Sequence, residues 1–127
     1  MSNKKEGTKF EQEIADKLFE NGWWVHLIQQ SKSGQPADII ATKDNTAVLI
    51  DCKDCKTKKF DLSRIEENQL NAMRLFVGRC WGQAYFVIKL NDKVYFINYW
   101  TMLDTILKEM KSVNESWLEN NKENWHL

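Results

Sequence analysis

The sequence predicts an α/β sandwich, a single domain in which helices flank one central mixed five-stranded sheet. Three observations lead there. Apolar residues recur at helical spacing in three segments, and strand-like apolar runs lie between them. The connections between these segments are short. The chain has 127 residues, 43% of them hydrophobic, with one Pro and five Gly, which suits one packed core and excludes a disordered tail. The expected order is α-β-β-β-α-β-β-α, with a core over residues 7–100 and a helical tail over 101–127.

The first helix is placed at 8–21, where Phe10, Ile14 and Leu18 form one stripe and Asn21-Gly22 ends it. "WWVHLI" (23–28) follows as a strand rich in aromatic and branched residues. The loop "QQSKSGQP" is polar. "ADIIAT" (37–42) and "TAVLIDCK" (46–53) read as strands joined at Lys43-Asp44-Asn45. "KTKKFDL" reads as a basic connection, and 63–77 as a second helix with Ser63 as its N-cap, in a capping box with Glu66. "QAYFVIKL" and "KVYFINY" form a hairpin across Asn91-Asp92. A third helix starts at Thr101, and the polar end "ENNKENWHL" is expected to fray. The six Trp read as core or dimer surface; Trp23 and Trp24 cannot both face inward on one strand.

The 18 basic residues balance the 18 acidic ones, which speaks mildly against a nucleic-acid binder. The distribution softens this. Residues 53–59 hold four Lys and one Asp, a cluster that suits a phosphate backbone or a solvated loop. No apolar run reaches the ~20 residues of a membrane span. The N-terminus lacks the apolar stretch of a secretory signal, and three cysteines do not suggest a disulfide framework. A cytoplasmic location is the expectation.

A tight turn on Asp44-Asn45 sets Asp38 opposite Asp51, their Cβ atoms roughly 5 Å apart. Alternation then gives Lys53 the face of Asp51 and turns Ile50 and Cys52 to the other face. Two like charges at ~4 Å repel by about 1 kcal/mol in water and ~4 kcal/mol at a protein surface. A divalent cation explains the pair, and oxygen ligands suit Mg²⁺ or Mn²⁺. Two aspartates on a wet sheet face are the plainer alternative. "IDCKDCK" also contains a Cys52-x-x-Cys55. That pair lacks a second C-x-x-C, Cys80 lies far off, and His26 and His126 are not spaced as partners. Cys52 reads better as a small buried hydrophobe.

An acid on the first helix, then "PADII", then "DCK", then a helix bearing a Gln resembles the PD-(D/E)XK nuclease superfamily, with its restriction-endonuclease-like fold. Within it the chain resembles the Holliday junction resolvases over residues 7–100. "GTKFEQEIADKLFENGWWV" is similar to the first helix and strand of the archaeal resolvases. "DCKDCKTKKFDLSRIEENQLNAM" is similar to the bacterial RecU-type enzymes. The resemblance implies a metal-dependent endonuclease acting on four-way DNA junctions as a homodimer. It implies that Asp38, Asp51 and the backbone carbonyl of Cys52 hold the metal. Lys53 would orient or deprotonate the attacking water, Glu11 would complete the site, and Gln69 would steady it. DNA contacts would fall on Lys56, Lys58, Lys59 and Arg64, with Lys32 and Ser33 in the polar loop.

The chain departs from the family pattern at Ala37, which separates Pro36 from Asp38, and at Asp51, where a Glu is usual. The loop at 29–36 replaces the long stalk of RecU-type enzymes, and its Ser31, Ser33 and Gly34 match the short archaeal loop. Glu11 has a second reading, as the far half of a capping box with Thr8. Gln69 shares a helical stripe with Ile65, Ala72 and Phe76 and needs a polar partner there, since an unsatisfied buried amide costs ~1–3 kcal/mol. Three other readings remain open: a DNA nuclease of the same superfamily without junction specificity, a nuclease-fold protein that only binds nucleic acid, and a thiol-based metal or redox protein. The Lys- and Asn-rich usage suggests an AT-rich bacterium or its phage.

Overall fold

A computed structural model of the chain describes residues 2–28, 36–79 and 82–125. Helix α1 (Ser2–Glu20) precedes strands β1 (Trp24–Leu27), β2 (Ile39–Lys43), β3 (Thr46–Cys55) and β4 (Lys59–Asp61). A 3₁₀ turn (Leu62–Arg64) leads into α2 (Glu67–Arg79), β5 (Gln83–Leu90), β6 (Lys93–Asn98), α3 (Tyr99–Leu107), β7 (Ser112–Asn114) and α4 (Glu115–Asn121).

The main sheet has five strands in the order β1-β2-β3-β5-β6. β3 and β5 run parallel, with α2 in the crossover between them, and the other pairs are antiparallel. Both hairpins close on two-residue turns, Asp44-Asn45 and Asn91-Asp92, and all four residues have positive φ. That twist matches the strands, and Asn and Asp tolerate it best after Gly. It fixes the register as the sequence predicts: Ile39 faces Ile50 and Lys43 faces Thr46.

Helix α1 ends in a Schellman motif. Gly22, at φ +90°, donates to the Phe19 carbonyl and Trp23 to the Leu18 carbonyl, both at 3.1 Å. Its stripe of Phe10, Ile14 and Leu18 packs on one sheet face with Ile39, Ile50 and Val87. On the opposite face Met73 of α2 and Met102 of α3 pack with Leu49, Phe86 and Ile88. β3 is therefore covered on both sides.

Four expectations change. α1 begins at Ser2, so Thr8 lies inside the helix and the Thr8–Glu11 box is not at a helix start. α2 begins at Glu67, not Ser63; the preceding 3₁₀ turn is capped by Asp61, whose carboxylate accepts from the Ser63 amide at 2.9 Å. The basic connection contains β4, which pairs with β7 in a separate two-stranded sheet. The polar tail is ordered in large part. After α4 the Glu123 amide donates to the Phe96 carbonyl at 2.9 Å. Trp125 stacks on Phe96 at 4.4 Å and on Trp23 at 5.5 Å, with Tyr85 edge-on at 5.2 Å. Aromatic burial outweighs the polar composition of the segment. Trp23 is half-buried while Trp24 is 60% exposed, as alternation requires.

Candidate functional site: an acidic pocket where β2 ends

The site forms because β3 outlasts β2. Pairing with β2 stops at Ile39 and Ile50, whereas pairing with β5 continues to Cys55. Among the described residues, no strand bonds to the β2-side edge of β3 beyond Ile50. Asp38, just before β2, fills the gap with its side chain: its Oδ2 accepts from the Cys52 amide at 2.6 Å, while its own amide donates to the Ile50 carbonyl at 2.9 Å. Within a strand the N–H and C=O of one residue point to the same edge. The Cys52 carbonyl therefore faces the same open edge as Asp38.

Asp51 and Lys53 share the face that looks toward α2. Their side chains pair at 3.1 Å, with 1% and 12% of their surface exposed. Gln69 ties both down. Its Nε2 donates to Asp51 Oδ1 at 3.1 Å, and its Oε1 accepts from Lys53 Nζ at 3.2 Å. The same Oε1 accepts from the Glu66 amide at 3.0 Å. Glu66 is the residue before α2 and Gln69 its third, so this is the back half of a capping box. One amide thus anchors the helix start and the site together. The Gln69 partner that the sequence demanded is Asp51 and Lys53. The role of the Glu66 amide was missed, although a Gln three residues past a helix start is its signal.

Glu11 reaches the pocket from α1, where its carboxyl and that of Asp38 share a hydrogen bond. Burial drives the electrostatics. It raises Asp38 to about 6, offset by the Cys52 amide and reinforced by Glu11. It raises Asp51 to about 7, with Lys53 opposing and the Asp38 charge adding. Glu11 is raised as well, first by burial. The Cys52 thiol is pushed well above its usual range by burial and then by the surrounding carboxylates, so it stays protonated.

A hard divalent cation fits these residues. Asp51 Oδ2 is buried without a hydrogen bond, and Lys53 is its near cation, off the hydrogen-bonding direction. Carboxyls whose charged form is disfavoured by burial and mutual repulsion gain from a cation that neutralises them. Among the described residues no three His, Cys, Asp or Glu side chains close into a complete cage. Mg²⁺ needs none, since it keeps several waters and takes one or two carboxylates.

The remaining sequence candidates divide. Arg64 lies over the Phe60 ring at 5.4 Å and donates to the Asp54 carbonyl at 3.2 Å. Lys56 pairs with Asp54 at 3.2 Å, and Lys58 and Lys59 are exposed on the same connection. Lys32 and Ser33 lie outside the described residues, as do Cys80 and His126. Cys52 and Cys55 pack into clusters on opposite sheet faces, Cys52 with the α1 cluster and Cys55 with the α2 cluster, which removes the C-x-x-C as a thiol pair.

The sequence matches the family model described as archaeal Holliday junction resolvase (hjc) over residues 2–117. The crossover junction endodeoxyribonuclease Hjc of Sulfurisphaera tokodaii is 31% identical over 101 residues, 77% of this chain and 69% of that protein. Archaeoglobus fulgidus Hjc, described as a Holliday junction resolvase from an archaeal hyperthermophile, superposes with a TM-score of 0.68 at 19% identity, covering 91% of this chain and 92% of that one. That superposition shows the fold. These matches fall on the archaeal side of the resemblance and lend no support to a bacterial or phage source. By the extent of the family match, the chain belongs to the archaeal Holliday junction resolvase family.

Proposed function

We infer that this protein is a metal-dependent endodeoxyribonuclease that resolves four-way DNA junctions by phosphodiester hydrolysis, with Mg²⁺ or Mn²⁺ as its cation. The observation that carries the reading is the pocket of Asp38, Asp51 and Lys53, held by Gln69, in a chain of this family. Asp38, Asp51 and the Cys52 carbonyl are the ligands proposed for the cation, with Glu11 beside Asp38. When bound, the cation supplies polarisation of the scissile phosphate and a lowered pKa for a bound water.

The protein's own groups do the rest. Lys53 places a positive charge where negative charge grows on the phosphate and orients the attacking water. Gln69 holds Lys53 and Asp51 at fixed spacing, so neither has to be reordered during the reaction. Glu11 holds Asp38 through their shared hydrogen bond. Lys56, Lys58, Lys59 and Arg64 are the proposed backbone contacts, with Lys32 and Ser33 in the loop. Symmetric incision of a junction needs two sites, which a two-fold homodimer supplies. The surface proposed for the second copy is the apolar set on α2 and α3, where Leu75, Trp100 and Leu107 are 47%, 60% and 72% exposed.

The test is cleavage of a synthetic four-way junction and a linear duplex in Mg²⁺ or Mn²⁺ by the wild type and Asp51→Asn. Junction-selective cutting by the wild type, lost in the variant, is expected. Undiminished cutting by Asp51→Asn overturns the site, and equal cutting of linear duplex overturns the junction preference. Sedimentation of the wild type reads the dimer.

A further inference from the structure

β1 sets two aromatic rings, Trp24 and His26, on the sheet face that carries Asp51, and hydrolysis of a paired junction uses neither. We propose that these rings are a stacking platform for an unpaired nucleobase, which extends the substrates to branched DNA with a single-stranded arm. The proposal rests on the junction-nuclease reading and goes beyond it, because every base of a fully paired four-way junction already has a partner.

The placement follows from the register. Val25 and Leu27 pack with the α1 cluster, so alternation turns Trp24 and His26 to the α2 side. Their cross-strand partners are Thr42 and Ile40, and Ile40 packs with the α2 cluster. Asp51 stands on the same side, bonded to Gln69 of α2. Its rung of the sheet runs through Asp38 to Ile28, whose amide donates to the Asp38 carbonyl at 2.8 Å. His26 and Trp24 lie two and four residues along β1 from that rung. Two strand spacings of ~4.8 Å and ~3.3 Å per residue put them roughly 12 and 16 Å from Asp51. That is about three to five nucleotides at the ~3.4 Å rise of a duplex strand.

The chemistry of the patch selects the occupant. The two ring planes lie within 10° of parallel, with centres 6.2 Å apart. That separation is near the long end for ring pairs, so each ring keeps open face. Trp24 is 60% exposed, and His26 and Thr42 are exposed beside it. α2 packs over β3 and β5 and leaves this part of the face uncovered. Trp23, the preceding residue, shows the contrast: it is half-buried and stacked on Trp125. Trp24, His26, Ile40, Thr42 and Ala47 include neither Lys nor Arg, so the patch has no cation for a phosphate, and neither Asp nor Glu to repel a strand passing over it. An aromatic face takes a base instead, with little regard to sequence, and contributes roughly five- to hundredfold in affinity per base.

The test titrates the full chain in EDTA with a paired four-way junction, a linear duplex, and the same junction with one arm left single-stranded and carrying 2-aminopurine near the branch. Trp24→Ala should weaken binding of the open-arm junction about tenfold. It should change binding of the two paired DNAs by no more than about twofold. Its slope of log affinity against log salt should match the wild type, since a neutral ring releases no counterions. The 2-aminopurine emission, which falls when the base stacks, should be quenched by the wild type and by Trp24→Phe, and less by Trp24→Ala. His26→Ala should act in the same direction, and it decides if Trp24→Ala fails to melt cooperatively. Equal weakening on all three DNAs, as loss of a second copy or of the fold would give, overturns the platform. Wild-type affinity and quenching in the folded variants, with a wild type that binds the paired junction and cuts it in Mg²⁺, overturns the platform alone. A wild type that neither binds nor cuts any of the three DNAs overturns the junction-nuclease reading and the platform with it.

Discussion

Asp51 and Lys53 stand 3.1 Å apart on β3; three residues on, Asp54 and Lys56 stand 3.2 Å apart at its end. The letters are the same and the distance nearly so. The surroundings are not. The first pair is 1% and 12% exposed, under α2 and held by Gln69; the second is 11% and 59% exposed, beside a solvent-open loop. Because a strand repeats every two residues, a step of three sends the second Asp to the opposite face. A charge pair of the same length is thus a buried pair within the candidate site in one place and a surface tether in the other. Exposed pairs contribute little, about 0–1 kcal/mol, whereas a buried carboxylate has its proton affinity reset by its setting.

The comparison can be broken at several points. Asp51→Asn should lower the cleavage rate by about 10³-fold or more, since the cation's charge stabilisation amounts to several kcal/mol. Asp54→Asn in the same junction assay should stay within a few-fold. Equal losses would erase the distinction between the pairs. Gln69→Leu should cost roughly 10- to 100-fold in rate, as loss of a supporting partner does, and destabilise the fold by ~1–3 kcal/mol on chemical denaturation, because it strips partners from Asp51 and the Glu66 amide.

Next comes acidity. The folded pKa of Asp51, about 7, lies above its unfolded value near 3.8. The folded chain therefore binds the proton more tightly, and its stabilising effect is present below pH ~4 and lost as pH rises through about 7. In EDTA the wild type should melt several degrees higher at pH 5 than at pH 7.5, on the order of 2 kcal/mol. Asp51→Asn should flatten that slope, and Mg²⁺ should raise the melting temperature more at pH 7.5 than at pH 5. The smallest effect belongs to the outer pair: Lys56→Ala should change stability by less than ~0.5 kcal/mol.

Much of this arrangement was legible in the residues. Asp44-Asn45 and Asn91-Asp92 permit only tight turns, so the register, and with it the approach of Asp38 to Asp51, follows from turn chemistry. Alternation then separated Lys53 from Cys52. What escaped depends on tertiary partners. β4 and β7 are three residues each, too short to show a period, and exist through each other. Ser63 looked like a cap because its spacing to Glu66 fits the pattern; the Asp61 carboxylate took that role on a 3₁₀ turn one step earlier. Glu11 matched two patterns, and only the start of α1 at Ser2 separated the cap from the pocket. The tail read as polar because its one decisive residue, Trp125, finds its partners at Trp23, Tyr85 and Phe96, far back in the chain.

That last stack bears on how the molecule folds. Trp23 and Trp125 stand far apart in the sequence, and their contact closes a loop that spans most of the chain. Loop-closure entropy opposes such a contact until the intervening hairpins and the β3–β5 crossover have shortened the path. The indole stack should therefore form last in refolding. Its near-ultraviolet dichroism would report completion of the native state, lagging behind the far-ultraviolet signal of the helices.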